Sequence, residues 1–394
     1  MKARETESPA DSLRSGHWFK LICGASYQAL PAVRNLTLAY ALAGADCIDV
    51  AADPAVVAAA KAGLAAAERV VSCASEQPQL RTRRYPFQHR PWHRPWLMVS
   101  MSAGEDPHFR KAWFDPAICP TDCPRPCEKI CPADAIAFTP EHDGVIRDRC
   151  YGCGRCLPVC PLGLIEARSH PTSADAIAQQ LLAQVDALEI HTQVGQIDTF
   201  NQLWQILAPW SAHLKLLSIS CPNGEGLIPY LQDLQCLVTK RTGPVKLTPS
   251  SLTPLSIAVG RSPLSRSVKP TVMWQTDGRP MSGDIGKGTT HATIRLAQKV
   301  MSSSIVGPVQ LAGGTNQHTV PKLDELGLLN RAPSAGLSER DQVAGIAYGS
   351  FARRLLMPVI EQTLYLEEDP HALWKAVELA ESLVGPLKQL AATG

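Results

Sequence analysis

The sequence has no long apolar run, and its charges nearly cancel. No stretch of 18 consecutive apolar residues occurs, so we expect no transmembrane helix. The 38 Lys and Arg against 36 Asp and Glu leave a net charge of +2, so no overall field favours nucleic acid or a membrane surface. Residues 1–16 are polar and charged and lack the apolar segment of a signal peptide, and we predict a disordered tail there.

The sequence is rich in cysteine over one short stretch. Of its 13 cysteines, eight lie between Cys119 and Cys160. The later run, Cys150 to Cys160, has the spacing C-x₂-C-x₂-C-x₃-C-P, which is typical of bacterial ferredoxins. The earlier run, Cys119 to Cys131, ends in the same way but has wider gaps, C-x₃-C-x₃-C-x₃-C-P. The residues after each run are also similar, which indicates an internal repeat.

The spacing of the two runs predicts two iron–sulfur clusters. In two-cluster ferredoxins, the last cysteine of a run binds the cluster of the other run. We expect 4Fe–4S clusters, although the irregular first run leaves a 3Fe–4S cluster open for the first set. The predicted first set is Cys119, Cys123, Cys127 and Cys160, and the predicted second set is Cys131, Cys150, Cys153 and Cys156.

Disulfides and structural zinc explain these cysteines less well. A disulfide framework is typical of small secreted domains, whereas this chain has 394 residues and no visible secretory signal. The x₂-x₂-x₃-Pro spacing also differs from that of zinc knuckles. Because iron–sulfur clusters need thiolates that are kept reduced, we predict a cytoplasmic location.

Outside the cysteine runs, apolar strand-like segments alternate with segments of helical spacing. Eight strands are each followed by a helical pattern, which predicts a (β/α)₈ barrel of the TIM type. Residues 17–102 would hold the first βα units, 103–170 a two-cluster ferredoxin-like insert after the third strand, and 171–394 the remaining units and a C-terminal helix. An open doubly wound α/β sheet produces much the same pattern and stays as the alternative.

Three parts of the chain together resemble a known family: the irregular first cysteine run, the regular second run, and the C-terminal part, including the segment from Gln275 to Thr290. This is the LdpA family, the light-dependent period proteins of cyanobacteria. The resemblance implies an iron–sulfur protein that reports redox state to the circadian clock. It also implies partners among the clock input proteins, including histidine kinases. Two shorter segments, Ala45 to Pro54 and Leu311 to Asn316, are similar to a family of cyanobacterial and plastid TIM-barrel proteins.

Glycine-rich loops after the last three barrel strands are candidates for a phosphate or FMN site. In TIM barrels, the loops after strands seven and eight often bind phosphate at the N-terminus of a short helix. The alternative is that these glycines only form tight turns between strand and helix. The candidate residues are Lys287, Gly288, Gly313, Gly314, Gly349, Ser350 and Arg353.

Several other polar or reactive residues have simpler interpretations. Cys23, Cys47 and Cys73 lie in or near apolar elements and are predicted to be core thiols. His191, near a strand end, is predicted to be a satisfied polar group. Two basic segments, 81–84 and 234–276, are solvated loops or surfaces for an acidic partner.

The function that these patterns favour is redox sensing through protein partners. No set of catalytic residues stands out, so no catalytic residue is predicted. One alternative is an iron–sulfur oxidoreductase with a flavin or a phosphate-bearing ligand in the barrel mouth. The other is a simple electron carrier, although most of the chain lies outside the ferredoxin-like module that a carrier needs.

Overall fold

A computed structural model of the chain describes most of the barrel and of the cysteine-rich insert. The described residues are 8–24, 27, 29–76, 92–104, 110–131, 133–150, 152, 154–169, 174–239, 269–278, 288–331, 342–361 and 363–388.

Eight of the twelve described strands form a closed barrel. They are joined, all in parallel, in the order β1-β12-β11-β10-β9-β8-β3-β2, and β1 pairs with β2 to complete the ring. The predicted (β/α)₈ barrel is therefore confirmed, and the open-sheet alternative is wrong. The strands are β1 (Trp18–Gly24), β2 (Cys47–Ala51), β3 (Trp96–Ser102), β4 (Arg110–Trp113), β5 (Ile136–Phe138), β6 (Asp143–Val145), β7 (Glu166–Ser169), β8 (Ala187–His191), β9 (Leu216–Pro222), β10 (Thr271–Asp277), β11 (Val309–Ala312) and β12 (Gly345–Tyr348).

Helices connect the barrel strands and cover the barrel from outside. A good local example is the start of the third helix, where the Asp53 carboxylate accepts hydrogen bonds from the N–H groups of Ala55 and Val56 at 2.8 and 3.1 Å. Pro54 follows at the first helical position, where its missing N–H has no cost. The helices are α1 (Pro9–Ser15), α2 (Leu30–Leu42), α3 (Pro54–Glu76), α4 (Pro126–Ile130), α5 (Ala174–Leu181), α6 (Ile197–Leu207), α7 (Leu227–Thr239), α8 (Thr290–Met301), α9 (Thr319–Glu325), α10 (Ser350–Ile360) and α11 (Pro370–Lys388).

Along each barrel strand, side chains point alternately outward to the helices and inward to the barrel axis. On β1, Phe19 faces outward, where its ring stacks on Tyr40 of α2 with the ring centroids 5.9 Å apart. Trp18, one position earlier, instead packs inside the barrel in an apolar layer near the amino ends of the strands. Leu13 of α1 belongs to the same layer, so this helix closes the lower end of the barrel.

The first helix corrects the prediction of a disordered tail over residues 1–16. Residues Pro9–Ser15 form α1, and residues 1–7 lie outside the described part. The helix is stable because Ser8 and Asp11 form a reciprocal cap: the Ser8 hydroxyl accepts from the Asp11 N–H, and the Asp11 carboxylate accepts from the Ser8 N–H. Leu13 is 7% exposed, so the helix also contributes to the core.

The cysteine-rich insert lies between β3 and α5. It contains two small antiparallel sheets, β4 with β7 and β5 with β6, together with the short helix α4. Its own core combines apolar side chains such as Phe114 and Ile136 with the buried cysteines Cys127, Cys150 and Cys156. A small unit with this little apolar area depends on additional stabilisation, which bound metal commonly supplies in proteins.

The thiols outside the insert only partly follow the sequence prediction. Cys23 and Cys47 are fully buried in barrel strands, which confirms their assignment as core thiols. Cys73 is exposed, so its assignment was wrong. Cys73 lies near the C-terminal end of α3, next to the equally exposed Ser72.

Candidate iron–sulfur site and charged barrel interior

The internal repeat of the cysteine runs is also a repeat of backbone conformation. Arg125 and Gly154 stand two residues before Cys127 and Cys156, and both adopt left-handed backbone conformations, with φ of 51° and 72°. The same holds three residues after the last cysteine of each run, where Asp134 has φ 45° and Gly163 has φ 63°. Non-glycine residues with positive φ are uncommon, so the fold imposes these turns on the first run.

Backbone amides point at the sulfur atoms in the same repeated way. The Ala135 N–H donates to Cys131 Sγ at 3.2 Å, and the Leu164 N–H donates to Cys160 Sγ at 3.4 Å, four residues after the cysteine in both cases. The Ala112 N–H donates to Cys150 Sγ at 3.4 Å. Hydrogen bonds of this kind stabilise thiolates and help to set the potential of a bound cluster.

The electrostatic neighbours of several thiols link Cys119, Cys123, Cys127 and Cys160 with one another and Cys131 with Cys150. The pKa of the Cys119 thiol is raised by burial and by its neighbours Cys123 and Cys160, and that of Cys127 is raised by burial and by Cys160 and Cys119. The pKa of Cys131 is raised by burial and by Cys150. Cys160 differs: burial opposes ionisation, but the backbone N–H groups that follow it, led by that of Leu164, hold its pKa below the usual range.

The donor chemistry of these sets fits an iron–sulfur cluster. Seven of the eight predicted ligands lie within the insert, and Cys153 is outside the described residues. Three of the seven, Cys127, Cys150 and Cys156, are buried and the others are partly exposed. Among the described residues, no three His, Cys, Asp or Glu side chains converge closely enough to hold a single metal ion. In a cluster each thiolate binds a different iron atom, so the thiolates are further apart than around one ion.

A second set of ionisable groups lies inside the barrel and was missed by the sequence analysis. Lys20 of β1 is fully buried, and its ammonium lies 2.5 Å from Oε2 of the equally buried Glu189 on β8 and 3.5 Å from Oδ2 of Asp49 on β2. Glu189 also accepts hydrogen bonds from Ser218 at 2.7 Å and Gln275 at 2.9 Å, and it lies 3.0 Å from His191 Nε2. His191 is therefore a partnered polar group, as the sequence predicts.

The charge states of this buried network follow from its geometry. Burial alone would lower the pKa of the Lys20 ammonium, but the carboxylates of Glu189 and Asp49 outweigh it and raise that pKa. Burial likewise opposes ionisation of Glu189, but Lys20 and His191 hold the pKa of its carboxyl well below its usual range. Asp49 is different, because burial and the nearby Glu189 outweigh Lys20 and raise its pKa to about 6. The network therefore contains one ion pair and one carboxyl that titrates near neutral pH.

We expect Asp49 to make the stability of the protein depend on pH. A folded-state pKa of about 6 against an ordinary value of 3.8 means that the folded state binds the proton more tightly, so this contribution to stability is present at low pH and is lost as pH rises from about 4 to about 6. The difference corresponds to roughly 3 kcal/mol. The Ser100 hydroxyl donates to Asp49 Oδ1 at 2.7 Å, and Asp49→Asn keeps an acceptor for it. In this variant the free energy of unfolding should match the wild type near pH 4 and exceed it by up to this amount at pH 7.

The measurement is denaturant unfolding of both proteins between pH 4 and pH 8. The control is Asp233→Asn, because Asp233 is exposed on α7. Parallel pH profiles for wild type and Asp49→Asn would contradict the assignment of the pH dependence to Asp49.

Three of the predicted phosphate-site residues, Gly288, Gly313 and Gly314, lie in loops that contact each other. Gly314, with φ 98°, packs against Thr289, whose hydroxyl donates to the Gly314 carbonyl at 2.7 Å. The Asn316 amide in turn donates to the Thr289 hydroxyl at 3.0 Å. The loops that carry Gly288, Gly313 and Gly314 are thus tied to each other, as expected for glycines that form tight turns.

The remaining candidates follow β12 or lie outside the described part. Ser350 and Arg353, which follow Gly349 after β12, line a cavity that also contacts the cysteine-rich insert. Lys287, the basic segment 81–84 and most of the basic segment 234–276 are outside the described residues. Among the described residues, no helix combines the length and the apolar character needed to cross a membrane.

The comparisons with known proteins agree with this geometry. Residues 119–171 match the model of the LdpA Fe–S cluster-binding domain, and residues 180–386 match that of the light dependent period A C-terminal domain. The chain is 53% identical over 386 residues to the light dependent period A protein of Synechococcus elongatus, with 97% of this chain and 94% of that protein covered. The chain belongs to the light dependent period A family.

More distant relatives of this LdpA-family chain match it over short stretches. A putative electron transport protein of Escherichia coli, YsaA, is 42% identical over 52 residues, which are 13% of this chain and 33% of that protein. A Methanocaldococcus jannaschii protein described as an uncharacterized ferredoxin is 45% identical over 40 residues, which are 10% of this chain and 26% of that protein. The insert of this LdpA-family chain is therefore an iron–sulfur cluster-binding domain with ferredoxin-like relatives.

A solved structure of Mycobacterium tuberculosis tryptophan synthase covers 98% of this LdpA-family chain and 99% of its own length. Its TM-score of 0.38 and identity of 11% are too low to bear on the fold or on function.

Proposed function

We propose that this chain is a redox-sensing iron–sulfur protein that relays the cellular redox state, and through it the light conditions, to the circadian clock by means of protein partners. The observation that carries the proposal is the combination of membership in the light dependent period A family with a cluster-binding insert built into a barrel. A simple electron carrier would need only the insert, whereas residues of the barrel make up most of the chain.

We assign Cys119, Cys123, Cys127 and Cys160 to one cluster and Cys131, Cys150, Cys153 and Cys156 to the other. The electrostatic proximity of Cys160 to Cys119 and Cys127, and of Cys131 to Cys150, supports this exchange of the last cysteine between the runs. We propose two 4Fe–4S clusters. The alternative for the first set is a 3Fe–4S cluster. When bound, an iron–sulfur cluster gains or loses one electron.

A one-electron change alters the charge within the insert by one unit. Such a charge is worth about 4 kcal/mol to another unit charge 4 Å away at an effective dielectric constant of 20, which is typical near a protein surface. The insert has its own hydrophobic core. A change of charge at a cluster therefore acts on the residues packed around it and on any surface that these residues contact. The redox state controls a partner only if the partner has different affinities for the two states.

The proposed partners are clock input proteins, including histidine kinases, and the proposed location is the cytoplasm. Reduced thiolates are retained in that compartment, which supports the location. The near-zero net charge gives no support for a nucleic-acid partner.

The test of the proposal has two steps. The first is an EPR titration of anaerobically purified protein against ambient potential, in which we expect at least one cluster to change state between roughly −100 and −400 mV. The second is binding of clock-input histidine kinases at potentials on either side of that midpoint, in which we expect at least a tenfold difference in affinity. Equal affinity in both redox states would refute the sensor proposal.

An iron–sulfur oxidoreductase is the second candidate function. The position of Ser350 and Arg353 on the wall of a cavity that reaches the insert favours it, because a ligand bound there would lie beside a cluster cysteine. A stoichiometric flavin in the purified protein, measured by absorbance and by fluorescence after denaturation, would support this alternative. Flavin-free protein with a redox-dependent partner would support the sensor.

A further inference from the structure

A cavity of about 500 Å³ separates the cysteine-rich insert from one side of the barrel mouth. The insert contributes Lys129, Cys131 and Arg155 to its wall, and α10 contributes Ser350, Arg353 and Arg354. Ser350 and Arg353 belong to the phosphate site that the sequence predicts, whereas Gly288, Gly313 and Gly314 do not line this cavity. Its volume is in the range of small-ligand sites in proteins.

Positive charge dominates the cavity wall. Four cationic side chains face two carboxylates, those of Asp134 and Glu361. Burial raises the pKa of the Tyr27 phenol, which also lines the cavity, to about 12, so Tyr27 offers a neutral hydroxyl. A concave wall with an excess of cations concentrates anions, because the low-dielectric surroundings focus the field into the cavity.

One of the four cations is held rigidly in place. Arg353 is 6% exposed, and its Nη1 donates to the backbone carbonyls of Ile22 and Cys23 at 2.9 and 3.1 Å. Its Nη2 donates to the Ser350 hydroxyl at 3.2 Å. These bonds tie the first turn of α10 to the carboxyl end of β1. A guanidinium fixed in this way loses little conformational entropy when an anion binds beside it.

We propose that this cavity binds a small phosphate-bearing molecule between the insert and the barrel. The dianionic phosphate matches the cationic excess, and guanidinium groups bind phosphate through paired, charge-assisted hydrogen bonds. Arg155 and Lys129 come from the insert and Arg353 and Arg354 from the barrel, so the ligand bridges the two. A cavity of about 500 Å³ is too small to hold a nucleic acid or a membrane surface.

The bound anion and the insert's redox state are expected to influence each other. Cys131, a predicted ligand of the second cluster, lies on the cavity wall. One more electron at that cluster adds negative charge beside the anion, so the anion binds the oxidised protein more tightly than the reduced protein. By reciprocity the anion then favours the oxidised state. Tenfold tighter binding to the oxidised form corresponds to a midpoint potential lower by about 59 mV.

The binding test uses the full-length protein with its clusters, purified anaerobically. Pyrophosphate, FMN and riboflavin are titrated by calorimetry at constant ionic strength. We expect pyrophosphate and FMN to bind and riboflavin, which lacks the phosphate, to bind at least tenfold more weakly. Arg354→Gln and Arg155→Gln should each weaken pyrophosphate binding about tenfold with unchanged iron content, while Arg295→Gln, on an exposed position of α8 outside the cavity wall, should not.

The outcome of this test does not depend on the redox-sensor proposal, because calorimetry needs no partner protein. Absence of binding for both phosphate compounds, equal binding of riboflavin, or equal affinity in Arg354→Gln would overturn the proposed site. The coupling is tested separately, by the midpoint potential of the second cluster with and without saturating pyrophosphate. A lowered midpoint in the wild type that is lost in Arg354→Gln supports the coupling, and an unchanged midpoint overturns it.

Discussion

Replacing Cys156 by Ala is expected to remove one cluster and leave the other, so that bound iron falls from about eight to about four atoms per chain. Cys156 is buried in the core of the insert, where it is one of the predicted ligands of the second cluster. In Cys127→Ala we expect the complementary result, with the loss of the other EPR signal. Cys73→Ala is the matched control, because Cys73 is exposed on α3 and far from the insert in sequence.

The same experiment decides how the last cysteines are exchanged between the runs. If Cys160 belongs to the first set, Cys160→Ala removes the signal that Cys127→Ala removes, and Cys131→Ala removes the signal that Cys156→Ala removes. The opposite grouping would show that each run holds its own cluster and would refute the assignment of Cys160 and Cys131. Total iron alone cannot distinguish these results, so the EPR spectra of the reduced variants are the measurement that matters.

Breaking the buried ion pair of the barrel is expected to have the largest effect on stability. Lys20 and Glu189 are both fully buried and 2.5 Å apart, so Glu189→Gln or Lys20→Met leaves one charge buried with too few partners. Removing one member of such a pair typically costs about 3–5 kcal/mol. The double variant Lys20→Met/Glu189→Gln removes both charges of this pair and leaves Asp49, whose carboxyl can take up a proton, so its free energy of unfolding should lie above the value expected from adding the two single effects.

Urea unfolding followed by circular dichroism measures all three variants under one set of conditions. The control is Lys375→Met, since Lys375 pairs with Glu378 on the surface of α11 at 3.3 Å with both side chains about half or more exposed. An exposed pair of this kind contributes about 1 kcal/mol or less. Strictly additive effects in the double variant would contradict the interpretation that Lys20 and Glu189 stabilise each other.

The barrel could be predicted from the sequence because each of its units carries a local signal. The run from Trp18 to Gly24 is apolar and ends at glycine, and Asp53 and Pro54 mark the start of the next helix by chemistry that acts within a few residues. The alternation of strands and helices is then compatible with only a few arrangements of the strands in a sheet. These local signals do not show whether the sheet closes into a barrel, because closure depends on β1 pairing with β12, more than 300 residues away in sequence.

The charged barrel interior was missed although a signal was present. Lys20, Asp49 and Glu189 each stand in the middle of an apolar strand, as in the segment Cys47–Ala51. A single charge within such a strand faces the barrel axis when its neighbours face the helices. Charges of opposite sign that all face the barrel axis therefore predict an internal ion pair.

The cavity between insert and barrel could not have been found from the sequence, although Arg353 was among the predicted phosphate-site residues. Arg155, which stands within the second cysteine run, and Arg353 are about 200 positions apart. Their proximity depends on how the insert folds back over the barrel, which no local pattern encodes. The cysteine spacing, by contrast, acts within 42 residues and reflects the geometry of the cluster itself, so it was readable directly.

The pairing of β1 with β12 also fixes the order of events on the ribosome. The barrel cannot close until β12 has been synthesised, whereas the cluster-binding domain ends at residue 171. The 177 residues from 172 to 348 take roughly 10–35 s to translate at 5–20 residues per second. During this time the insert has been synthesised and is accessible to the cell's cluster-delivery machinery, whereas β1 does not yet have β12 to pair with. We therefore expect cluster loading to precede barrel closure in newly made chains.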